Sequence, residues 1–126
     1  MSTDKYNSKY KHEYKSKWFK PHEFACKCGC GEQDVTEELL RELDTIREHF
    51  GVPVSILSGR RCVKHNRKVG GAVRSQHLFG TAADIVVKGV LPAEVHLYLV
   101  GEYSGGGIGK YNSFTHFDVR EGYARW

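Results

Sequence analysis

The sequence predicts an α+β fold, a small and mainly antiparallel sheet flanked by helices. Three observations lead there. One segment over 36–50 is strongly periodic and amphipathic; several short alternating or β-branched runs fall between 54 and 119; and Asn112-Ser113 gives a turn signal between the last two of those runs.

The first helix begins after Asp34. Thr36 is a good N-cap, and Val35 and Leu40 can form a hydrophobic staple across it. Leu39, Leu43, Ile46 and Phe50 then recur every three or four residues as an apolar stripe. Gly51 stands where a C-terminal glycine belongs, and Pro53 prevents resumption. Val54-Ser55-Ile56-Leu57 reads as a short strand, and Cys62 to Val69 as a short helix closed by Gly70-Gly71. Thr81 to Val87 carries small and β-branched residues on both faces, which predicts a central strand. Along it Ala82, Asp84 and Val86 share one face, and Ala83, Ile85 and Val87 the other. Pro92 opens a second long helix running through Ala93 to Val100. Ile108 to Tyr111 and Phe114 to Val119 complete the pattern as a hairpin.

At 126 residues the chain suits one domain with a modest core, and its Tyr 7, Phe 6 and Trp 2 let ring packing supply much of the burial. No apolar run approaches the roughly 18 residues of a membrane span, so no membrane insertion is expected. Met1 to Lys20 is polar and lacks the apolar core of a signal peptide, which predicts synthesis in the cytoplasm. Residues 1–18 read as a basic, Tyr/Lys-rich arm ahead of a domain over 19–126. Lys5, Lys9, Lys11, Lys15, Lys17 and Lys20 face one acid, Glu13, and Tyr6, Tyr10, Tyr14 and Trp18 recur at helical spacing. Such an arm is either a packing element or a surface attracted to polyanions such as an anionic wall polymer. No base-reading motif is visible, so no specific nucleic-acid role is expected.

The chemistry concentrates in Ser75-Gln76-His77-Leu78-Phe79-Gly80-Thr81-Ala82-Ala83-Asp84 and, far downstream, in His116-Phe117-Asp118. His77, Asp84 and His116 make a zinc set of two imidazoles and one carboxylate, leaving the fourth tetrahedral position open for water. Strand alternation puts Phe114, His116 and Asp118 on one face. Asp118 is therefore close enough either to orient a ligand or to handle protons itself. Cys26, Cys28, Cys30 and Cys62 allow a disulfide, reduced thiols or a second, structural zinc. The tight Cys-x-Cys-x-Cys run departs from the usual paired knuckle spacing, which places the zinc last of the three. His12, His22, His49, His65 and His96 lack comparable support, and Gly105-Gly106-Gly107 reads as a tight turn or cleft backbone.

The pattern Ser75-x-His77-x-x-Gly80-x-Ala82-x-Asp84 followed by His116-x-Asp118 resembles the zinc D-alanyl-D-alanine carboxypeptidase family, in the small branch common in phages and prophages. The likeness includes Phe24 to Gly31, Ser58-Gly59-Arg60-Arg61-Cys62, His65-Asn66, Val69-Gly70-Gly71 and Ala124-Arg125-Trp126. It implies the hedgehog-like fold of that family and one zinc ion held by His77, Asp84 and His116. The implied activity is cleavage of peptidoglycan stem peptides beside D-alanine, as a carboxypeptidase or an endolysin-type endopeptidase. It further implies action at the bacterial wall or periplasm after bacteriophage lysis or virion delivery, with virion proteins as possible partners. Arg61 matches the arginine that binds substrate or steadies the oxyanion, a role suited to a forked, charged guanidinium. Its neighbour Arg60 stands where an aromatic residue is usual, so an assignment one residue off is open. Ser75 is a candidate substrate-binding residue or a structural cap. Relatives carry an acidic general base three positions before the last zinc histidine; that position here is Ser113. Asp118 is then the candidate base nearest in sequence, with Glu102 and Glu121 as acids that folding can bring near. The same substitution admits a rival, a non-catalytic zinc module or a virion structural component of the same fold.

Overall fold

A computed structural model describes residues 12–126. Helix α1 spans Glu37–Phe50, and its start is set by Thr36, whose hydroxyl accepts the Leu39 N–H at 3.3 Å. Gly51 ends it in the left-handed conformation at φ 67°. Helix α2 spans Val63–Lys68 and α3 spans Pro92–Glu102. Strands β1 (Val54–Ser58), β2 (Ala82–Val87), β3 (Gly106–Lys110), β4 (Thr115–Asp118) and β5 (Tyr123–Arg125) form one sheet in the order β1-β2-β4-β3-β5. All pairings are antiparallel except β3 with β5. The α+β, largely antiparallel expectation is met, with β2 paired on both edges.

Three elements are additional to those read from the sequence. Short 3-10 turns occur at Pro21–Phe24 and Gln76–Phe79, and β5 closes the sheet beside β3. Backbone bonds from Trp126 to Ile108 and from Lys110 to Trp126 extend that last pairing to the final residue.

One face of the sheet carries the core. Ala83, Ile85 and Val87 of β2 join Ile108 and Phe117 in a buried cluster with Leu39, Leu43 and Ile46 of α1 and Val95 and Leu99 of α3. The opposite face of β2 and β4 carries Asp84 and His116, which stand directly across from each other in the register. Alternation along both strands thus separates a dry face from a chemical one. No helix of the described residues is long and apolar enough to cross a membrane.

The helical face proposed for the arm does not form where it is described. Tyr14 and Trp18 lie in irregular chain, and Tyr6 and Tyr10 fall outside the described residues. The reason is capture of backbone donors by side chains: Asp44 of α1 accepts the Lys17 and Trp18 N–H groups, and Ser16 Oγ accepts the Phe19 N–H at 2.9 Å. Tyr14 and Ser16 hydroxyls also donate to Asp44, and the first of these bonds raises the Tyr14 phenol to about 12. The rings lie under guanidinium groups of α1, Arg41 over Tyr14 and Arg47 over Trp18. Asp44 is buried, so Asp44→Ala strands several donors and is expected to cost about 1–3 kcal/mol in urea unfolding. An unchanged unfolding free energy would show that this contact does not hold residues 14–19.

Candidate metal centre

His77 is delivered by the 3-10 turn Gln76–Phe79. Ser75 Oγ caps that turn by accepting the His77 N–H at 3.2 Å, and Gly80 ends it. The His77 ring donates from Nδ1 to the Gly59 carbonyl, 2.7 Å away, which turns Nε2 toward Asp84 Oδ1 at 3.3 Å. The main chain ties the same pieces together, with the Arg61 N–H donating to the His77 carbonyl at 3.0 Å.

His116 approaches from the neighbouring strand. Its Nδ1 lies 3.0 Å from Asp84 Oδ1, and its Nε2 lies 2.7 Å from Asp118 Oδ2. The two carboxylates therefore stand at opposite edges of one imidazole. Burial pushes the Asp84 carboxyl upward, but hydrogen bonds from His116 and His77 outweigh it and hold it at about 2. For His116 burial works downward, and bonding to Asp118 and Asp84 wins, raising it. Asp118 is fully buried and held well below the carboxylate range. Its burial is outweighed by bonds from His116 and from Arg120, whose Nε and Nη2 both donate to it.

The donors fit a tetrahedral ion. His77, Asp84 and His116 are 2%, 5% and 7% exposed, and one ligand atom from each lies within 4.8 Å of the others. Bonds of about 2.0–2.1 Å give a tetrahedral edge of about 3.3 Å. The observed approaches to Asp84 of 3.3 and 3.0 Å match that edge. Each imidazole also has its remote nitrogen engaged, which fixes the nitrogen left for a metal. Among the described residues the other histidines do not join this group. His49, for instance, stacks on Tyr98 at 3.8 Å as a packing residue.

A cleft of about 460 Å³ opens over the three donors. Arg61 lines it, with Nη2 3.6 Å from Asp84 Oδ2, Nη1 donating to Asn66 Oδ1 and Nε to Ser58 Oγ. Arg60 points elsewhere, to the Asp34 carbonyl, which settles which of the two arginines faces the centre. Arg74 and Arg120 add positive charge, and Tyr111, Phe114 and Trp126 form an aromatic side. Among the described residues Asp84 is the one side-chain carboxylate in this lining. Glu102 and Glu121, expected as acids that folding can bring near, line separate grooves instead. Ser113 is exposed.

Sequence reasoning missed the supports of the centre: the Gly59 carbonyl, the Ser58 and Asn66 anchors of Arg61, and the Arg120 clamp on Asp118. Asn66 within a short basic helix and an arginine two residues after Asp118 are the signals the sequence carries. The glycine run belongs here too. Gly107 donates its N–H to Asp118 Oδ1 at 2.9 Å, and a Cβ there would meet the carboxylate at 2.3 Å. The cysteines are brought together without a disulfide; all four are free, with Cys26, Cys28 and Cys62 Sγ atoms 3.5–3.8 Å apart. The disulfide alternative is therefore set aside.

No curated protein gives a significant match to the chain. The profile of the family described as Peptidase M15 matches residues 17–118, which run from the Asp44-bound segment through both histidines and Asp84 to Asp118. With that match over most of its length, and with the His77–Asp84–His116 group assembled in its fold, the chain belongs to the peptidase M15 family.

Proposed function

We propose that the protein is a zinc-dependent peptidase that hydrolyses peptidoglycan stem peptides beside D-alanine. The observation that carries this reading is the buried His77–Asp84–His116 donor set at the floor of an open cleft. A zinc ion held by these residues supplies Lewis-acid polarisation of a peptide carbonyl and a lowered pKa for water. The chain's own residues do the rest. Arg61 binds a substrate carboxylate or carbonyl oxygen through its fork, held in place by Ser58 and Asn66. Arg74 at the cleft lining suits acidic stem peptides, whereas the charge of Arg120 is taken up by Asp118. Ser75 contributes through the turn that presents His77. The wall as site of action, and delivery at phage lysis or with a virion, rest on the sequence resemblance. On the same reading residues 1–18 serve as a basic arm beside a peptidase domain over 19–126.

Asp118 acts in this proposal as a positioning residue, behind His116, rather than as the base. Its carboxylate meets the ring nitrogen remote from Asp84 and is saturated by Arg120 and Gly107. Asp118→Asn is expected to weaken zinc binding about 10–100-fold in a chelator competition. Unchanged affinity with a collapsed kcat would return Asp118 to the role of base.

A second reading has its own support. The cleft lining of the described residues offers no side-chain carboxylate besides Asp84, and a serine occupies the usual base position. That suits a non-catalytic zinc module or a virion component. Incubating zinc-loaded protein with purified muropeptides of several wall chemistries, with products read by mass spectrometry, decides between the two. The peptidase reading expects loss of D-alanine or cutting of a cross-link; no cleavage of any substrate would overturn it.

A further inference from the structure

We infer that Cys26, Cys28, Cys30 and Cys62 hold a structural zinc ion through four thiolates, separate from the His77–Asp84–His116 centre. Three of the sulfurs are nearly equidistant: Cys26 to Cys28 at 3.5 Å, Cys28 to Cys62 at 3.6 Å and Cys26 to Cys62 at 3.8 Å. A disulfide would join two of them and displace the third, since its bond is only about 2 Å long. A tetrahedral zinc with bonds of about 2.3 Å instead requires every sulfur pair to sit about 3.8 Å apart. Cys30 completes the group, with all four ligand atoms within 4.8 Å of one another. Cys28 and Cys30 are exposed, so hydrophobic burial does not explain why their sulfurs converge.

Two further observations point the same way. Backbone N–H groups are aimed at sulfur: Cys62 N–H at Cys26 Sγ, 3.4 Å, and His65 N–H at Cys62 Sγ, 3.3 Å. Such donors favour the thiolate, the form that binds metal. The backbone also answers the objection raised by the Cys-x-Cys-x-Cys spacing. An extended chain would hold alternate cysteines about 7 Å apart. Here the Gly29 N–H returns to the Cys26 carbonyl in a tight turn, and Gly29 at φ 85° adopts the left-handed conformation that curls the run between Cys28 and Cys30.

The ion would have a clear structural purpose. The segment 25–33 contains neither helix nor strand, and the cluster fastens it to Cys62, which follows Arg61 and caps α2. A four-thiolate site is closed, leaving no coordination position for a substrate, so its role is to brace the loop behind Arg61.

The test is metal content and cobalt spectroscopy on the full chain purified under reducing conditions. Two zinc equivalents per chain are expected, falling to one in Cys28→Ser/Cys30→Ser and to one in His77→Ala. Cobalt-loaded protein should show thiolate-to-cobalt charge-transfer absorption that persists in His77→Ala and vanishes in the cysteine variant. If the double variant does not fold, Cys30→Ser alone should weaken the band, and the parent's thiols should resist modification until a chelator is added. A parent that binds one equivalent, all of it lost in His77→Ala, overturns the inference, as does a cobalt spectrum without the thiolate band. Failure of muropeptide cleavage would leave these readouts unchanged, so the two proposals fail separately.

Discussion

His77→Ala is expected to bind one zinc equivalent fewer than the parent under chelator competition and to lose hydrolysis with it. Residues that merely support metal ligands change affinity or activity about 10–100-fold when replaced. Removal of a ligand should exceed the upper end of that range, because only two donors, Asp84 and His116, remain. The substitution also frees the buried Gly59 carbonyl, so circular dichroism and thermal unfolding must accompany the metal titration. Retention of folded structure with one equivalent lost assigns the effect to ligation. Retention of the full metal complement at parental affinity would remove His77 from the set.

That ligand set was legible in the sequence for a physical reason. His77 and Asp84 are seven residues apart on a single turn-and-strand unit, so local geometry alone brings them near each other. His116 needed the register of two strands, which the strand alternation around Asp84 and His116 suggested and the pairing of β2 with β4 supplies. The helix over 36–50 was equally readable because its cap, stripe and terminal glycine agree. Other features depend on information a linear pattern does not carry. Alternation assigns Asp118 to the face of His116 but cannot say which ring edge it meets; the structure puts it at Nε2, remote from Asp84. Tyr14 and Trp18 have helical spacing, yet Asp44 and Ser16 take the backbone donors that a helix would use. The Cys-x-Cys-x-Cys run departs from the usual paired knuckle spacing, yet a turn closed by the Gly29 N–H on the Cys26 carbonyl, with Gly29 at positive φ, brings its sulfurs together. Strand β5 is only three residues long and is defined by its parallel partner, leaving too little sequence for a period.

Arg61→Ala is the second large effect. Loss of a single preorganised oxyanion donor costs about 10²–10³ in kcat, or about 2.7–4 kcal/mol, in other hydrolases. Arg61 is built for such precision. Its three nitrogens are directed separately, Nε to Ser58, Nη1 to Asn66 and Nη2 toward Asp84, and it remains largely buried at the cleft wall. The kinetic constants separate its two candidate roles. If Arg61 anchors a ground-state carboxylate, KM rises and kcat is preserved; if it steadies charge that develops during reaction, kcat falls and KM is little changed. Arg61→Lys sharpens the distinction, because it keeps a positive charge but cannot reproduce the fork. A lysine variant as impaired as the alanine one would locate the contribution in geometry, and one near parental activity would locate it in charge. Parental kinetics in both variants would exclude Arg61 from the reaction, leaving it as the residue that couples Ser58, Asn66 and Asp84.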